Sequence, residues 1–158
     1  MFAIPGTGEI PVAGFLPHLE ELDLEGCNLE DMVSVQRGDE QGRVSETLIP
    51  LIAKLFPSLR ILNLSYNRLT NASLAPEQLS LLVLQSPHRV GLRALRLRGN
   101  TGITGLEGLK VIAERFKGNR DVVEWKMEEV DVRDCGIGKL DPELGLLPLD
   151  VFLVEGNT

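Results

Sequence analysis

The sequence predicts an α/β fold built on one parallel β-sheet, and three observations carry that prediction. The chain has 158 residues, about the size of one domain, and 43% of them are apolar, which is ordinary for a globular chain. A short apolar pattern with a period of two recurs along it, as strands require. All but the last of the segments between its recurrences are long enough for a helix.

The recurring pattern is L-x-x-L-x-L-x-x-N/C-x-L, with Asn or Cys at the same position of each copy. The copies begin at Leu19, Leu59, Leu92, Met127 and Leu149. In the L-x-L part, the apolar side chains point to one face of a strand and the intervening residues to the other. The Asn or Cys side chain can bind backbone groups that a buried turn would otherwise leave unsatisfied. These structural turn positions are Cys27, Asn67, Asn100, Cys135 and Asn157.

With these copies in order, the chain resembles the leucine-rich repeat family from about Leu19 to Thr158. The resemblance implies a curved solenoid of about five repeats, with the parallel sheet on its concave side and helices and turns on its convex side. The long repeats are similar to those of ribonuclease-inhibitor-like proteins, and the last repeat is short. We therefore expect a lead-in or partial repeat over residues 1–18, and a repeat domain over residues 19–158 that is truncated at its C-terminus.

The connections carry their own signals. Ser45 is placed to N-cap a helix that runs to about Phe56, with Leu48, Ile49, Ile52 and Leu55 on one apolar face. Pro76 suits the first position of a second helix. A third amphipathic set begins at Leu106 and is expected to end at Gly118. The last connection, LDPELGLLP, is long enough for only a single turn, the polar segment 30–43 is expected to be a flexible loop, and Trp125 is expected in the core.

The x positions of each strand predict the surface that can meet a partner. We expect this concave face to comprise Glu21, Asp23, Glu25, Ile61, Asn63, Ser65, Tyr66, Ala94, Arg96, Arg98, Glu129, Asp131, Arg133, Val151, Leu153 and Glu155. This face is banded from acidic to neutral to basic to mixed and then to partly apolar, and the alternating charge can select a partner with the complementary order. Alternatively, Arg96 and Asp131, neighbours in the central row, simply pair with each other.

The function predicted from these features is a protein–protein interaction module without catalysis of its own. One alternative is a regulator of an enzyme, such as a GTPase-activating or phosphatase-regulatory protein, in which Arg96 or Arg98 engages the partner's catalytic site. The other is a structural spacer in a larger multidomain protein. The regulator is distinguished by whether Arg96→Ala abolishes a rate effect or merely weakens binding. The spacer is favoured if the concave face tolerates charge reversal.

Several other classes of function find no support in the sequence. The formal net charge of −7 argues against nucleic-acid binding, and no apolar stretch approaches a membrane span. Cys27 and Cys135 would lie about 14 Å apart, which is beyond the reach of a disulfide, and His18 and His88 fall outside the strands. We therefore expect buried structural thiols, no metal, no cofactor, no catalytic residues and no small-molecule substrate. The lack of a signal-like N-terminus favours an intracellular protein, cytoplasmic or nuclear.

Overall fold

The computed structural model describes residues 9–11, 16–36, 43–116 and 123–157, and its main feature is a five-stranded parallel sheet. Its five strands are β2 Glu21–Asp23, β5 Ile61–Asn63, β6 Ala94–Arg96, β7 Glu129–Asp131 and β8 Val151–Leu153. They lie side by side in that order, so each strand neighbours the next strand of this sheet along the chain. Each strand coincides with one copy of the repeated pattern.

The middle residue of every strand is apolar, and these residues pair in register across the sheet: Leu22, Leu62, Leu95, Val130 and Phe152. The first four are buried, while Phe152, on the edge strand β8, is half-buried. The period of two therefore places the leucine side of each strand in the core, as the sequence predicts.

Within the described residues, three α-helices connect the strands and pack on the leucine side of the sheet. They are α1 Leu48–Leu55, α2 Pro76–Val83 and α3 Glu107–Ala113. Helix α1 packs on α2, α2 packs on α3, and α3 packs on a short 3₁₀ helix, Pro142–Leu146, which forms the last connection. The start of α2 at Pro76 and the short last turn are confirmed. Gly118, the expected end of the third helix, lies outside the described residues.

The predicted start of α1 is wrong. Ser45 lies in strand β4, Arg43–Thr47, and the helix begins at Leu48 with Thr47 as its N-cap residue, whose side chain makes no capping hydrogen bond. The backbone N–H of Leu48 instead donates to the carbonyl oxygen of Asp31 at 2.9 Å. The predicted apolar face of this helix is nevertheless buried, because its period of 3.6 does not depend on where the helix begins.

The predicted loop over residues 30–43 is also wrong, because strand β3 occupies Met32–Gln36. It pairs antiparallel with β4, and a further strand, β1 Glu9–Pro11, pairs parallel with β3 to give a second sheet. Val33 and Val35 alternate with more exposed residues and are buried, so the segment has the period of a strand. The charged residues at both ends of the segment make this period hard to recognise in the sequence. Residues 37–42 and most of the predicted lead-in lie outside the described part of the chain.

One hydrophobic cluster runs through the described molecule, from Leu22 in β2 to Leu147 after the last 3₁₀ helix. Trp125 belongs to this cluster, as predicted, and packs edge-to-face on Phe116 with the two ring centroids 5.7 Å apart. Its indole N–H donates to the carbonyl oxygen of Met127 at 2.9 Å, so the buried polar atom is satisfied. Both histidines, His18 and His88, lie outside the strands, as predicted, and both are exposed.

Candidate functional site

The outward side chains of the five strands form three parallel rows, which together we call the open face. The first row is Glu21, Ile61, Ala94, Glu129 and Val151. The central row is Asp23, Asn63, Arg96, Asp131 and Leu153. The third row follows the strands and consists of Glu25, Ser65, Arg98, Arg133 and Glu155. The placement of the predicted residues in these rows agrees with the sequence analysis, while their role in binding remains a prediction.

Exposure is less even across this face than the sequence suggests. Glu21, Asp23 and Glu25 are exposed, so the acidic band is open to solvent. Ser65, Ala94 and Asp131 are buried, and Asp131 is only 4% exposed. These three residues are therefore less accessible than their neighbours, and their role in binding stays a prediction. Their side chains are short and lie among longer ones, which take the solvent-exposed positions.

The ion pairs of the face differ from the pairing considered from sequence. Arg96 does not pair with Asp131: its Nε atom lies 2.8 Å from Oε2 of Glu129. Asp131 is held instead by Arg133, which lies two residues along the same chain, at 2.8 and 3.0 Å. The third arginine, Arg98, lies with its Nε atom 2.7 Å from Oδ2 of Asp134.

These contacts shift the pKa values of Asp131 and Arg96. Burial acts to raise the pKa of Asp131, but the hydrogen bonds from Arg133 outweigh it and the net shift is downward. The hydrogen bond to Glu129 raises the pKa of Arg96. Asp131 and Arg96 therefore stay charged over the ordinary pH range.

The asparagine side chains at the turn positions form a ladder of hydrogen bonds to the backbone at the strand ends. Asn67 accepts a hydrogen bond from the backbone N–H of Leu29 in the preceding turn at 2.9 Å, and Asn100 accepts one from Leu69 at 3.0 Å. Their amide groups donate to carbonyl oxygens of their own strand and of the preceding one, at 2.8 to 3.0 Å. Asn157 repeats this arrangement with Ile137 and Val132. The predicted role of the asparagine turn positions is confirmed.

The two cysteines fill the same position with weaker contacts. The thiol of Cys135 donates to the carbonyl oxygen of Leu97 at 3.2 Å, whereas Cys27 reaches only the carbonyl of Glu25, at 3.7 Å. Both thiols are free. Cys135 is buried as predicted, but Cys27 is only half-buried, so that part of the prediction is wrong. Burial raises the pKa of both thiols, which keeps them protonated near neutral pH and makes neither an activated nucleophile.

A thiol accepts hydrogen bonds poorly, so Cys135 cannot bind the preceding turn as the asparagines do. The third copy of the pattern contains one extra residue before Ile103. The backbone N–H of Ile103 therefore bonds within its own turn, to the carbonyl oxygen of Asn100 at 3.0 Å. Because this N–H already has an acceptor within its own turn, it does not need one from the fourth turn. A cysteine can therefore replace the asparagine at position 135.

The position before each turn residue is left-handed, a regularity that the sequence analysis missed. Its φ angle is positive in all five strand ends, at Gly26, Tyr66, Gly99, Asp134 and Gly156. Three glycines at one repeat position were the available signal. Tyr66, at φ 56° and about half exposed, is the unusual case, because bulky residues rarely adopt this conformation. Its ring lies where a Cβ atom at position 99 would be, so Gly99 must lack a side chain.

A fourth row of charged residues comes just before the strands and was also missed. It runs Glu20, Arg60, Arg93, Glu128 and Asp150, linked by backbone hydrogen bonds from each residue to the next. Each arginine pairs with the glutamate beside it: Arg60 with Glu20 at 3.3 Å and Arg93 with Glu128 at 3.5 Å. The sequence contained a signal for this row, because a charged residue directly follows the first apolar residue of each copy of the pattern.

Between this row and the open face lies a groove of about 300 Å³. Its apolar lining comes from Ile61 and Ala94. Its charged lining has both signs, with three arginines and four glutamates: Arg60, Arg93, Arg96, Glu20, Glu21, Glu128 and Glu129. The methyl group of Ala94 is smaller than the side chains of Ile61 and Glu129 on either side of it, which leaves room in the middle of the sheet. The open face is thus a ridged surface with one recess near its centre.

A family model described as Leucine Rich repeat matches residues 15–31 and 57–75, which cover the first two strands of the sheet and their turns. These matches at two repeats support a leucine-rich repeat protein. No curated protein and no solved structure gives a significant match.

Leucine-rich repeat domains generally mediate protein–protein interaction, and the family is typically non-catalytic. In this chain, the described residues hold no group of three or more His, Cys, Asp or Glu side chains that could bind a metal ion. Within the same residues, no helix is long and apolar enough to cross a membrane. The open face and the groove beside it are therefore the features on which a function can be argued.

Proposed function

We propose that this leucine-rich repeat protein is an interaction module that presents the open face of its sheet to a protein partner and catalyses no reaction. In this proposal the described strands belong to a curved solenoid of about five repeats, with the open face concave and the helices convex. One observation carries it: leucine positions are buried along the strands, while the intervening positions form continuous rows on the other side. Such rows bring side chains from distant parts of the sequence onto one surface.

Rigidity supports the proposal. The asparagine ladder holds the strand ends in place. The ion pairs Arg96–Glu129 and Arg133–Asp131, each with an N–O distance of 2.8 Å, hold long side chains in place. Side chains that are already ordered lose less conformational entropy when a partner binds. The face is therefore suited to a folded partner or to an extended segment.

The distribution of unpaired charge indicates the chemistry of that partner. Glu21 and Asp23 make no ion pair with any described residue, whereas Arg96, Arg98 and Arg133 are each paired with a carboxylate. The acidic band at β2 is therefore the charge that remains unneutralised. We expect a partner that brings basic side chains to this end of the face and apolar ones to Val151 at the other.

The alternative of an enzyme regulator gains nothing from the arginines. To reach a partner's catalytic site, Arg96 or Arg98 would first have to leave carboxylates at 2.8 and 2.7 Å. No other specific observation favours that alternative or the spacer. An intracellular location, cytoplasmic or nuclear, and the absence of nucleic-acid, membrane and small-molecule partners remain part of the proposal.

The test compares two matched triple variants in capture of proteins from a lysate of the source cells. The face variant is Glu21→Arg, Glu25→Arg, Val151→Glu, and the helix variant is Glu77→Arg, Glu107→Arg, Val111→Glu. All six residues are exposed, so neither set removes a buried contact. Both variants change charge in the same way, which leaves only the location of the change to differ.

A protein that is captured by the native chain and by the helix variant, but lost from the face variant, would support the proposal. Circular dichroism of both variants controls for folding. Equal recovery of every captured protein by the native chain and the face variant would refute binding through the open face.

A further inference from the structure

A second recess adjoins the groove, and the two share a wall. It encloses about 240 Å³ and is lined by Arg60, Arg93 and Lys126, together with Gln85, Val90 and Gly91. We call it the basic recess. Arg60 and Arg93 also line the groove, so the apolar surface of Ile61 and Ala94 lies directly beside the basic recess. A bound segment can therefore occupy both.

The two arginines of the shared wall are neighbours of like charge. The backbone N–H of Arg93 donates to the carbonyl oxygen of Arg60 at 2.7 Å, so they occupy adjacent positions across the sheet. Like charges side by side on adjacent strands are unfavourable. Each arginine has a glutamate on its outer side only, and no described carboxylate pairs with both arginines.

The existing ion pairs of these arginines are weak. Arg60 and Arg93 lie 3.3 and 3.5 Å from their glutamates, and all four side chains are largely exposed. By contrast, the arginines of the open face lie 2.7 to 2.8 Å from their carboxylates. Lys126 makes no ion pair within the described residues. Because exposed pairs contribute little, a ligand anion can take over the arginines at small cost.

We infer that the basic recess binds an anionic side chain of the partner protein, a carboxylate or a phosphate, while the next residue of that segment packs an apolar side chain on Ile61 and Ala94. This inference rests on the proposed function, because it adds a specificity site to the same surface. The basic recess itself is lined by the three cations Arg60, Arg93 and Lys126 and by no carboxylate, since the partners of the two arginines, Glu20 and Glu128, line the groove instead. A guanidinium also matches the two oxygens of a carboxylate or phosphate.

The experiment uses a positional-scanning peptide library in which each position carries Asp, Glu, phosphoserine or Lys in turn beside a fixed apolar residue. The native chain is compared with the recess variant Arg93→Glu, Lys126→Glu and with the matched control Arg68→Glu, Lys139→Glu. The control residues are exposed and do not line the basic recess. The inclusion of both carboxylates and phosphoserine identifies which anion is preferred.

We expect the native chain and the control to prefer an acidic or phosphorylated residue over Lys by roughly tenfold at one position next to the apolar residue. The recess variant should reverse that preference. Absence of any acidic preference, or a preference that survives in the recess variant, would overturn the inference.

The two proposals fail in different ways. If captured proteins depend on the open face but the native chain selects no acidic residue, only the basic recess is refuted. If the face variant captures every partner while the acidic selection persists and reverses in the recess variant, the proposed function is refuted and the basic recess stands as an anion site.

Discussion

At the scale of single residues, the turn asparagines show how one side chain can satisfy several buried backbone groups. Asn100 is fully buried and contacts three of them: the N–H of Leu69 and the carbonyl oxygens of Leu64 and Leu97. Both carbonyls have another donor in Asn67, Cys135 or the backbone. The N–H of Leu69 has no second acceptor within the described residues, so its satisfaction depends on Asn100.

We predict that Asn100→Ala lowers the free energy of unfolding by about 1–3 kcal/mol, the usual cost of leaving a buried donor unsatisfied. Urea denaturation followed by circular dichroism measures it. The matched control is Asn157→Ala, at the same position of the last strand, where the side chain is only half-buried and water can replace the lost bonds. A loss at Asn157 as large as that at Asn100 would contradict this explanation.

The left-handed position marks the limit of prediction for single residues. Glycine at positions 26, 99 and 156 allows the positive φ to be anticipated from the repeat. Tyr66 and Asp134 adopt the same conformation without glycine's freedom, and their own letters do not indicate it. Hydrogen bonds to the neighbouring repeats impose this conformation. The backbone N–H of Tyr66 donates to the carbonyl oxygen of Arg98 at 2.6 Å, and that of Asp134 donates to the carbonyl oxygen of Glu155 at 2.9 Å.

At the scale of elements, α3 packs unusually closely on the turn before it. A Cβ atom at Gly108 would overlap the carbonyl oxygen of Leu74, at the end of the 3₁₀ helix Asn71–Leu74. The obstacle is backbone, which cannot rotate away as a side chain can. The helix therefore tolerates a glycine in its first turn, despite the poor helix propensity of glycine.

We predict that Gly108→Ala destabilises the protein by about 1–3 kcal/mol, because the strain of overpacking exceeds the gain in helix propensity. The control is Gly145→Ala in the last 3₁₀ helix, where an added Cβ would meet nothing within 4 Å. That substitution should be neutral or stabilise by up to about 1 kcal/mol. Thermal denaturation of both variants decides the matter, and a more stable Gly108→Ala protein would rule out the close approach.

Asp31 ties the segment before β3 to the next repeat. Its carboxylate accepts hydrogen bonds from the hydroxyl groups of Thr70 and Ser73 and from the backbone N–H of Thr70, the last at 2.9 Å. Burial acts to raise the pKa of Asp31, but these hydrogen bonds outweigh it and the pKa is lowered. A lowered pKa in the folded state means that the ionised carboxylate stabilises the fold.

The stabilisation from Asp31 should be complete above the unfolded-state pKa of about 4 and should disappear as the pH falls through the lower, folded-state value. We predict that urea midpoints measured at pH 6 and pH 3 differ less for Asp31→Asn than for the native chain. Asp150→Asn serves as the control, since the Asp150 side chain makes no hydrogen bond with a described residue. If Asp31→Asn has the same pH dependence as the native chain, Asp31 does not contribute in this way.

At the scale of the whole molecule, the buried residues form one continuous cluster, so distant repeats should unfold together. Leu62 is fully buried in β5, and Trp125, the only tryptophan of the chain, lies two repeats away beside Met127. We predict that Leu62→Ala costs about 2–5 kcal/mol. It should shift the unfolding midpoint equally by tryptophan fluorescence and by circular dichroism.

The exposed Val111 provides the control for that experiment, because Val111→Ala should leave both midpoints nearly unchanged. Separate midpoints for the two probes in Leu62→Ala would show that the repeats unfold independently. The prediction tests cooperativity along the sheet, which the pairing of adjacent strands alone does not guarantee.

The sequence by itself determined the strands of the large sheet, their order and register, the buried faces of the helices and the role of the turn asparagines. Each of these follows from local spacing, a period of two in strands or 3.6 in helices, repeated often enough to be distinguished from chance. The helix start at Leu48 and the strand Met32–Gln36 did not follow, because pairing with another segment overrode the polar composition nearby.

Only the tertiary structure decided which charges pair and which side chains remain available. Arg96 turns to Glu129 and Asp131 to Arg133, and the groove opens where Ala94 lies between larger neighbours. Arg60 and Arg93 become one wall only because the strands that they precede lie side by side. The reason is physical: periodicity fixes the side of a strand on which a residue lies, whereas ion pairs and recesses depend on the lengths and competing partners of side chains from separate repeats.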